Sequence, residues 1–86
     1  MDDLLKFPSS FVIKIMGLNT DTLVTEIASI LQSHCKSFNP HTDIVVKHST
    51  KGNYVSISAT IEAHSKEHLD TVYIEINKHE LVKFVL

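Results

Sequence analysis

The clearest pattern in the chain is an alternation. From Tyr54 to Ala63, the residues Val55, Ile57, Ala59, Ile61 and Ala63 share one parity, and Tyr54, Ser56, Ser58, Thr60 and Glu62 share the other. A period of two belongs to a strand with one buried face. Three further stretches have strand composition with a less regular period: "SFVIKIMG" after Pro8, "DIVVKHS" at 43–49 and "LVKFVL" at 81–86. Between the strands the period lengthens. Leu23, Val24, Ile27, Ala28, Ile30 and Leu31 recur at helical spacing, behind the cap candidates Asn19, Thr20 and Asp21. "NP" at 39–40 forbids continuation, so the pattern predicts a helix over about 20–35. Leu69, Val72, Tyr73 and Ile76 mark a second helical stripe, with Ser65 as its N-cap and Glu67 in the first turn. The turn "TKGN" before the third strand supplies Gly52 and Asn53, which tolerate positive φ most readily.

The order βαββαβ predicts an α+β sandwich of the ferredoxin-like kind. Right-handed crossovers set both helices on one face of a four-stranded antiparallel sheet of order 4-1-3-2. Residues 1–86 make this single domain, with 1–9 as a lead-in to the first strand. The second sheet face is then uncovered. By parity it presents Val12, Lys14 and Met16 from strand one and Val45 and Lys47 from strand two. Strand three adds Ser56, Ser58 and Thr60, and strand four Leu81, Lys83 and Val85. Of these, Val12, Lys14, Met16, Leu81, Lys83 and Val85 form the expected partner surface, an apolar patch among lysines. The architecture hosts many unrelated activities, so function has to come from the surfaces.

Composition narrows the setting. The apolar fraction is 43%, the charged fraction 21% and the formal net charge −2, so no overall charge favours nucleic acid or an anionic membrane. One cysteine, Cys35, excludes an intramolecular disulfide and fits a reducing compartment. "MDDLLKFPSS" carries acid where a secretory signal would carry base, and no run approaches the ~20 apolar residues of a spanning helix. A cytoplasmic location without membrane attachment is expected.

Candidate chemistry is sparse. As an RNA-reading strand, "STKGNYVSISATI" has Lys51 and Gly52 but Asn53, Val55 and Ser58 where bases would stack, which leaves Tyr54 alone. It does not suit a phosphate cradle, because its glycine leads into a strand. His34 and Cys35 are adjacent, yet neighbours in a helix project about 100° apart. His64 and His68 have the i, i+4 spacing of metal ligands, but His64 precedes the N-cap and a third ligand would come from distant His41, His48 or His79. No catalytic set, metal site or cofactor is expected, and the chain is read as no enzyme.

Three stretches together, "LLKFPSSFVIKIMG", "STKGNYVSISATI" and "LVKFVL", resemble the YbeD-like family of small bacterial proteins of unknown function. The resemblance runs from Leu4 to Leu86 and implies a βαββαβ fold similar to ACT regulatory domains, which bind small ligands and usually associate in pairs. It further implies a link to lipoyl metabolism, because genes of the family often lie beside lipoyl-transfer genes. It carries over no catalytic residue. In ACT-type domains the loop from the first strand to the first helix contacts amino-acid ligands, which makes Gly17, Leu18, Asn19 and Thr20 the expected ligand-binding residues. N–H groups at a helix start can receive a carboxylate, although Asp21 sets a negative charge there. The function expected is a non-catalytic, ACT-like regulatory or interaction module that binds a partner protein or small metabolite, with homodimer formation in keeping. The alternative is a nucleic-acid accessory protein using the open-face lysines.

Overall fold

The computed structural model describes residues 6–86, so Met1–Leu5 of the expected lead-in lie outside the described residues. The element order is β1 (Ser9–Leu18), α1 (Leu23–His34), β2 (Ile44–His48), β3 (Tyr54–Ala63), α2 (Lys66–Asn77) and β4 (Val82–Val85). One antiparallel sheet runs β2-β3-β1-β4, with the order and pairing that the pattern predicts. Both helices pack on one face of it.

The alternation of β3 builds the core. Val55, Ile57, Ala59, Ile61 and Ala63 are all buried, and register sets Ile57 opposite Ile15 and Ala59 opposite Ile13. Leu23, Ile27 and Leu31 from α1 and Val72 and Ile76 from α2 close over them. Burial at the i, i+4, i+8 positions of α1 is the amphipathic stripe of its sequence.

The helix ends show how local chemistry sets boundaries. Ser65 caps α2 as expected, its hydroxyl accepting from the His68 N–H at 3.0 Å. The first helix starts at Leu23, three residues later than the pattern predicts. Asn19 is held elsewhere, and the Thr20 hydroxyl accepts from the Leu23 N–H at 3.3 Å from outside the helix.

β4 departs from the expected parity. Gly17 of β1 pairs with Val82, but its neighbour Met16 pairs with Phe84, so Lys83 is an extra residue in a bulge. Val82 and Val85 therefore both pack against the core, with Leu81 beside them, while Phe84 and Leu86 are exposed. The expected open-face positions Leu81 and Val85 are corrected accordingly: the bulge turns Val85 inward and puts Phe84 next to Met16, and Leu81 lies in the turn ahead of β4, half-buried against the core. Lys83 stays exposed, as predicted.

Candidate functional site

Two regions carry the residues that the sequence singled out. The helix-entry loop is bonded to the rest of the chain. The Leu18 N–H donates to the Leu81 carbonyl at 3.0 Å, and the Asn19 N–H to the Asn53 carbonyl at 3.0 Å. The Asn19 side-chain amide donates to the Gly52 carbonyl at 2.8 Å. These bonds tie the end of β1 to the 52–53 turn on one side and to the residue ahead of β4 on the other. A carboxylate arriving here would find the Leu18 and Asn19 N–H groups already in use. Gly17 is a matter of space: a Cβ there would lie 2.6 Å from Leu23 Cδ2 and 2.8 Å from the Leu81 oxygen.

Two of the six histidines, His68 and His79, turn out to be struts between the helices. His68 accepts the His64 backbone N–H on Nδ1 at 3.0 Å, so its other nitrogen carries the proton and donates to the His34 carbonyl at 2.6 Å. That joins the start of α2 to the end of α1. At the opposite end, His79 accepts the Leu81 N–H on Nδ1 at 3.2 Å and donates from Nε2 to the Glu26 carboxylate. In both rings the two nitrogens are spent within the fold. Neither is free to take a proton from a substrate.

Cys35 Sγ does meet an imidazole, that of His68 from the other helix, at 4.0 Å rather than that of its neighbour His34. It is 1% exposed, and burial pushes its thiol above the usual range. Both features oppose thiolate formation. Native Cys35 is expected to react with a thiol reagent at least roughly a hundredfold more slowly than in denaturant, the factor set by an opening free energy of about 3 kcal/mol. Rate measurements with and without denaturant check this; equal rates would mean the thiol is open. The His64 and His68 rings stack with centroids 5.7 Å apart, and among the described residues no three His, Cys, Asp or Glu side chains converge as metal ligands.

The second region is the uncovered sheet face. Val12, Lys14 and Met16 lie on it as predicted, with Val45 and Lys47 on one side and Phe84 on the other. Val12 is 63% exposed, Val45 57%, Phe84 48%, Tyr54 43% and Leu86 68%. Met16, Tyr54 and Phe84 line an open cleft of about 470 Å³ with Ser49 and Lys83 at its edge. The sequence reading missed Phe84 and Tyr54 as parts of this surface. The spacing of Val82 and Val85 is the signal that could have found Phe84, since only one inserted residue lets both valines face inward. A second groove, lined by Thr22, Glu26, Lys78, His79, Glu80 and Leu81, holds the Glu26–His79 strut. No helix among the described residues is long and apolar enough to cross a membrane.

Comparison with known proteins agrees with this geometry. Residues 2–86 match a family described as a protein of unknown function, DUF493. A UPF0250 protein of Photorhabdus laumondii is 41% identical over 87 residues, spanning all of this chain and 95% of the relative. One from Serratia proteamaculans is 40% identical over the same span. Among solved structures, the ACT domain from GTP pyrophosphokinase of Chlorobium tepidum superposes with a TM-score of 0.67 at 18% identity, covering 90% of this chain and 84% of that one. A solution structure of a protein from H. pylori reaches 0.70 at 16% identity, covering 100% of this chain and 93% of the other. At such identities the likeness is one of fold. On the family match and the close relatives, the chain belongs to DUF493 (UPF0250), a family of small bacterial proteins of unknown function, here with the fold of an ACT domain.

Proposed function

We propose that this protein is a non-catalytic, ACT-like regulatory or interaction module of the cytoplasm that binds a partner through its uncovered sheet face. The observation that carries the reading is the exposure of Val12, Val45, Phe84 and Leu86 on a face no element covers, with Lys14, Lys47 and Lys83 among them. Apolar patches mixed with charge are where soluble proteins meet partners. The chemistry at hand opposes catalysis: His68 and His79 have no free nitrogen, and Cys35 is buried. A small metabolite at Gly17–Thr20 is the other ligand this module could take, at the expense of the bonds that hold Leu18 and Asn19. The gene neighbourhood of the family makes lipoyl metabolism the first place to seek the partner.

The double change Val12→Glu, Phe84→Glu tests the reading. Both side chains face solvent, so added charge costs little in the free chain and much in a dry interface. The expected result is a chain with wild-type circular dichroism that has lost partner capture from lysate, or self-association in sedimentation. A folded double variant that keeps every wild-type partner and its oligomeric state would remove this face from consideration. A second reading gains from Phe84, which adds an aromatic ring beside Tyr54 on a lysine-bearing face. On this face the central strands β3 and β1 carry only Tyr54, at the very start of β3, and no second ring where a base would stack beside it, so nucleic acid stays the alternative. Binding that falls steeply with salt would favour it.

A further inference from the structure

We propose that the cleft formed by Met16, Tyr54 and Phe84 anchors an extended peptide segment of another protein, one that carries acidic and large apolar side chains at every second residue and so on one side. This rests on the partner-surface reading above and adds the chemistry of the partner. Three observations carry it: the lining of the cleft, the unbalanced charge around it and the spacing of that charge.

The cleft is apolar on its floor and cationic at its edge. Met16 lies opposite Phe84 across the β1–β4 pairing, Tyr54 closes the third side, and Lys83 stands at the edge on the bulge. The bulge does two things at once. It turns Phe84 out to make the wall and leaves Lys83 unpaired in the ladder beside it. An apolar side chain would sit against the two rings while a carboxylate two residues along, on the same side of the segment, meets the lysine.

The face is charged against the sign of the chain. The net charge is −2, yet Lys14, Lys47 and Lys83 are all exposed here, and none is in an ion pair among the described residues. The acids of this face, Asp43 and Glu62, lie toward its other end. Asp43 accepts the Asn39 N–H at 2.9 Å, and Glu62 lies 3.6 Å from His64. A second copy of the chain would bring three more lysines against only two carboxylates, Asp43 and Glu62, and leave the joint surface positive. An acidic surface on a different protein complements the face better.

Spacing gives the shape. Lys47 is on β2 and Lys83 beside β4, at opposite edges of the sheet. Three strand-to-strand steps separate them, about 14 Å. One small carboxylate cannot reach both, whereas an extended segment of about five residues can, with Lys14 between. Val12, Val45 and Leu86 offer apolar contact along the way, which a polyphosphate backbone would not use.

The test uses the whole protein and a fluorescein-labelled peptide with glutamate, leucine and phenylalanine at every second position and serine between, so that the three share one side. Its lysine counterpart and a single-stranded oligonucleotide serve as competing probes. Wild-type protein should bind the glutamate peptide in fluorescence anisotropy, with amide shifts centred on Met16, Tyr54 and Phe84. Lys83→Glu should weaken that binding about tenfold and gain affinity for the lysine peptide, a reversal that loss of structure cannot produce. Phe84→Ser should weaken both. No binding of the glutamate peptide, equal binding of the lysine peptide, or tighter binding of the oligonucleotide would overturn the proposal. So would unchanged affinity in Lys83→Glu. If Val12→Glu, Phe84→Glu still abolishes native capture while Lys83→Glu leaves it intact, the face remains a partner surface and this chemistry for it is wrong.

Discussion

Ile57→Asp is expected to unfold the domain, and Ser58→Asp, one residue further on, to leave it folded. Ile57 is 0% exposed, opposite Ile15 and under both helices. Its replacement removes a large apolar side chain, at about 2–5 kcal/mol. It also sets a carboxylate where no donor waits, a further cost of at least about 1–3 kcal/mol. A domain of this length has roughly 4–13 kcal/mol in hand, and the sum of about 3–8 kcal/mol is of the same size. Ser58 is half-buried on the uncovered face, opposite Lys14 and Val45, where a carboxylate meets water and a lysine. Urea titrations followed by circular dichroism separate the two outcomes. Equal loss of structure in both variants would mean that β3 does not bury the parity assigned to it.

That contrast depends on the part of the fold most legible in the sequence. In β3 every residue of one parity is apolar and every one of the other is polar or amphipathic, so a slip by one residue would expose the whole core set. The helices were legible for a similar reason: their stripes leave one face to bury. β4 was not. Its apolar residues Leu81, Val82, Phe84 and Val85 occupy both parities around a single lysine, and strict alternation would expose one of the two valines. The protein resolves this with a bulge, a three-dimensional answer fixed by β1 and invisible in the period of β4 itself.

The site was less legible than the fold because it is made by pairing across elements. Met16 and Phe84 are far apart in sequence and meet only through the shifted register. His68 and Cys35 likewise meet between helices; the sequence spoke against the adjacent His34 as the thiol's partner but gave no sign of His68. What could be read was the class of surface: an uncovered sheet with lysines and apolar residues intermixed. Which rings and which lysine share a cleft depended on one inserted residue.

The two glycines offer the second large effect, and they should fail for different reasons. Gly17→Ala is expected to cost about 2–3 kcal/mol, with Gly17→Asn costing at least as much. A Cβ at Gly17 meets Leu23 Cδ2 at 2.6 Å and the Leu81 carbonyl oxygen at 2.8 Å. The leucine methyl can turn aside, but the carbonyl is held by the Leu18 N–H, so β4 itself would have to retreat from β1. Gly52 has open space around it and a φ of 76°, so its constraint is conformational. Gly52→Ala should cost about 1–2 kcal/mol, and Gly52→Asn much less, because asparagine tolerates the left-handed region. Denaturation midpoints of the four variants give the stabilities, and amide exchange in Val82–Val85 reports whether β4 loosens. Asparagine should rescue position 52 and fail at 17. If Gly17→Asn were as stable as the wild type with β4 still protected, the close approach of β4 to this loop would be wrong. The glycine would then be explained better by a ligand that needs the backbone bare.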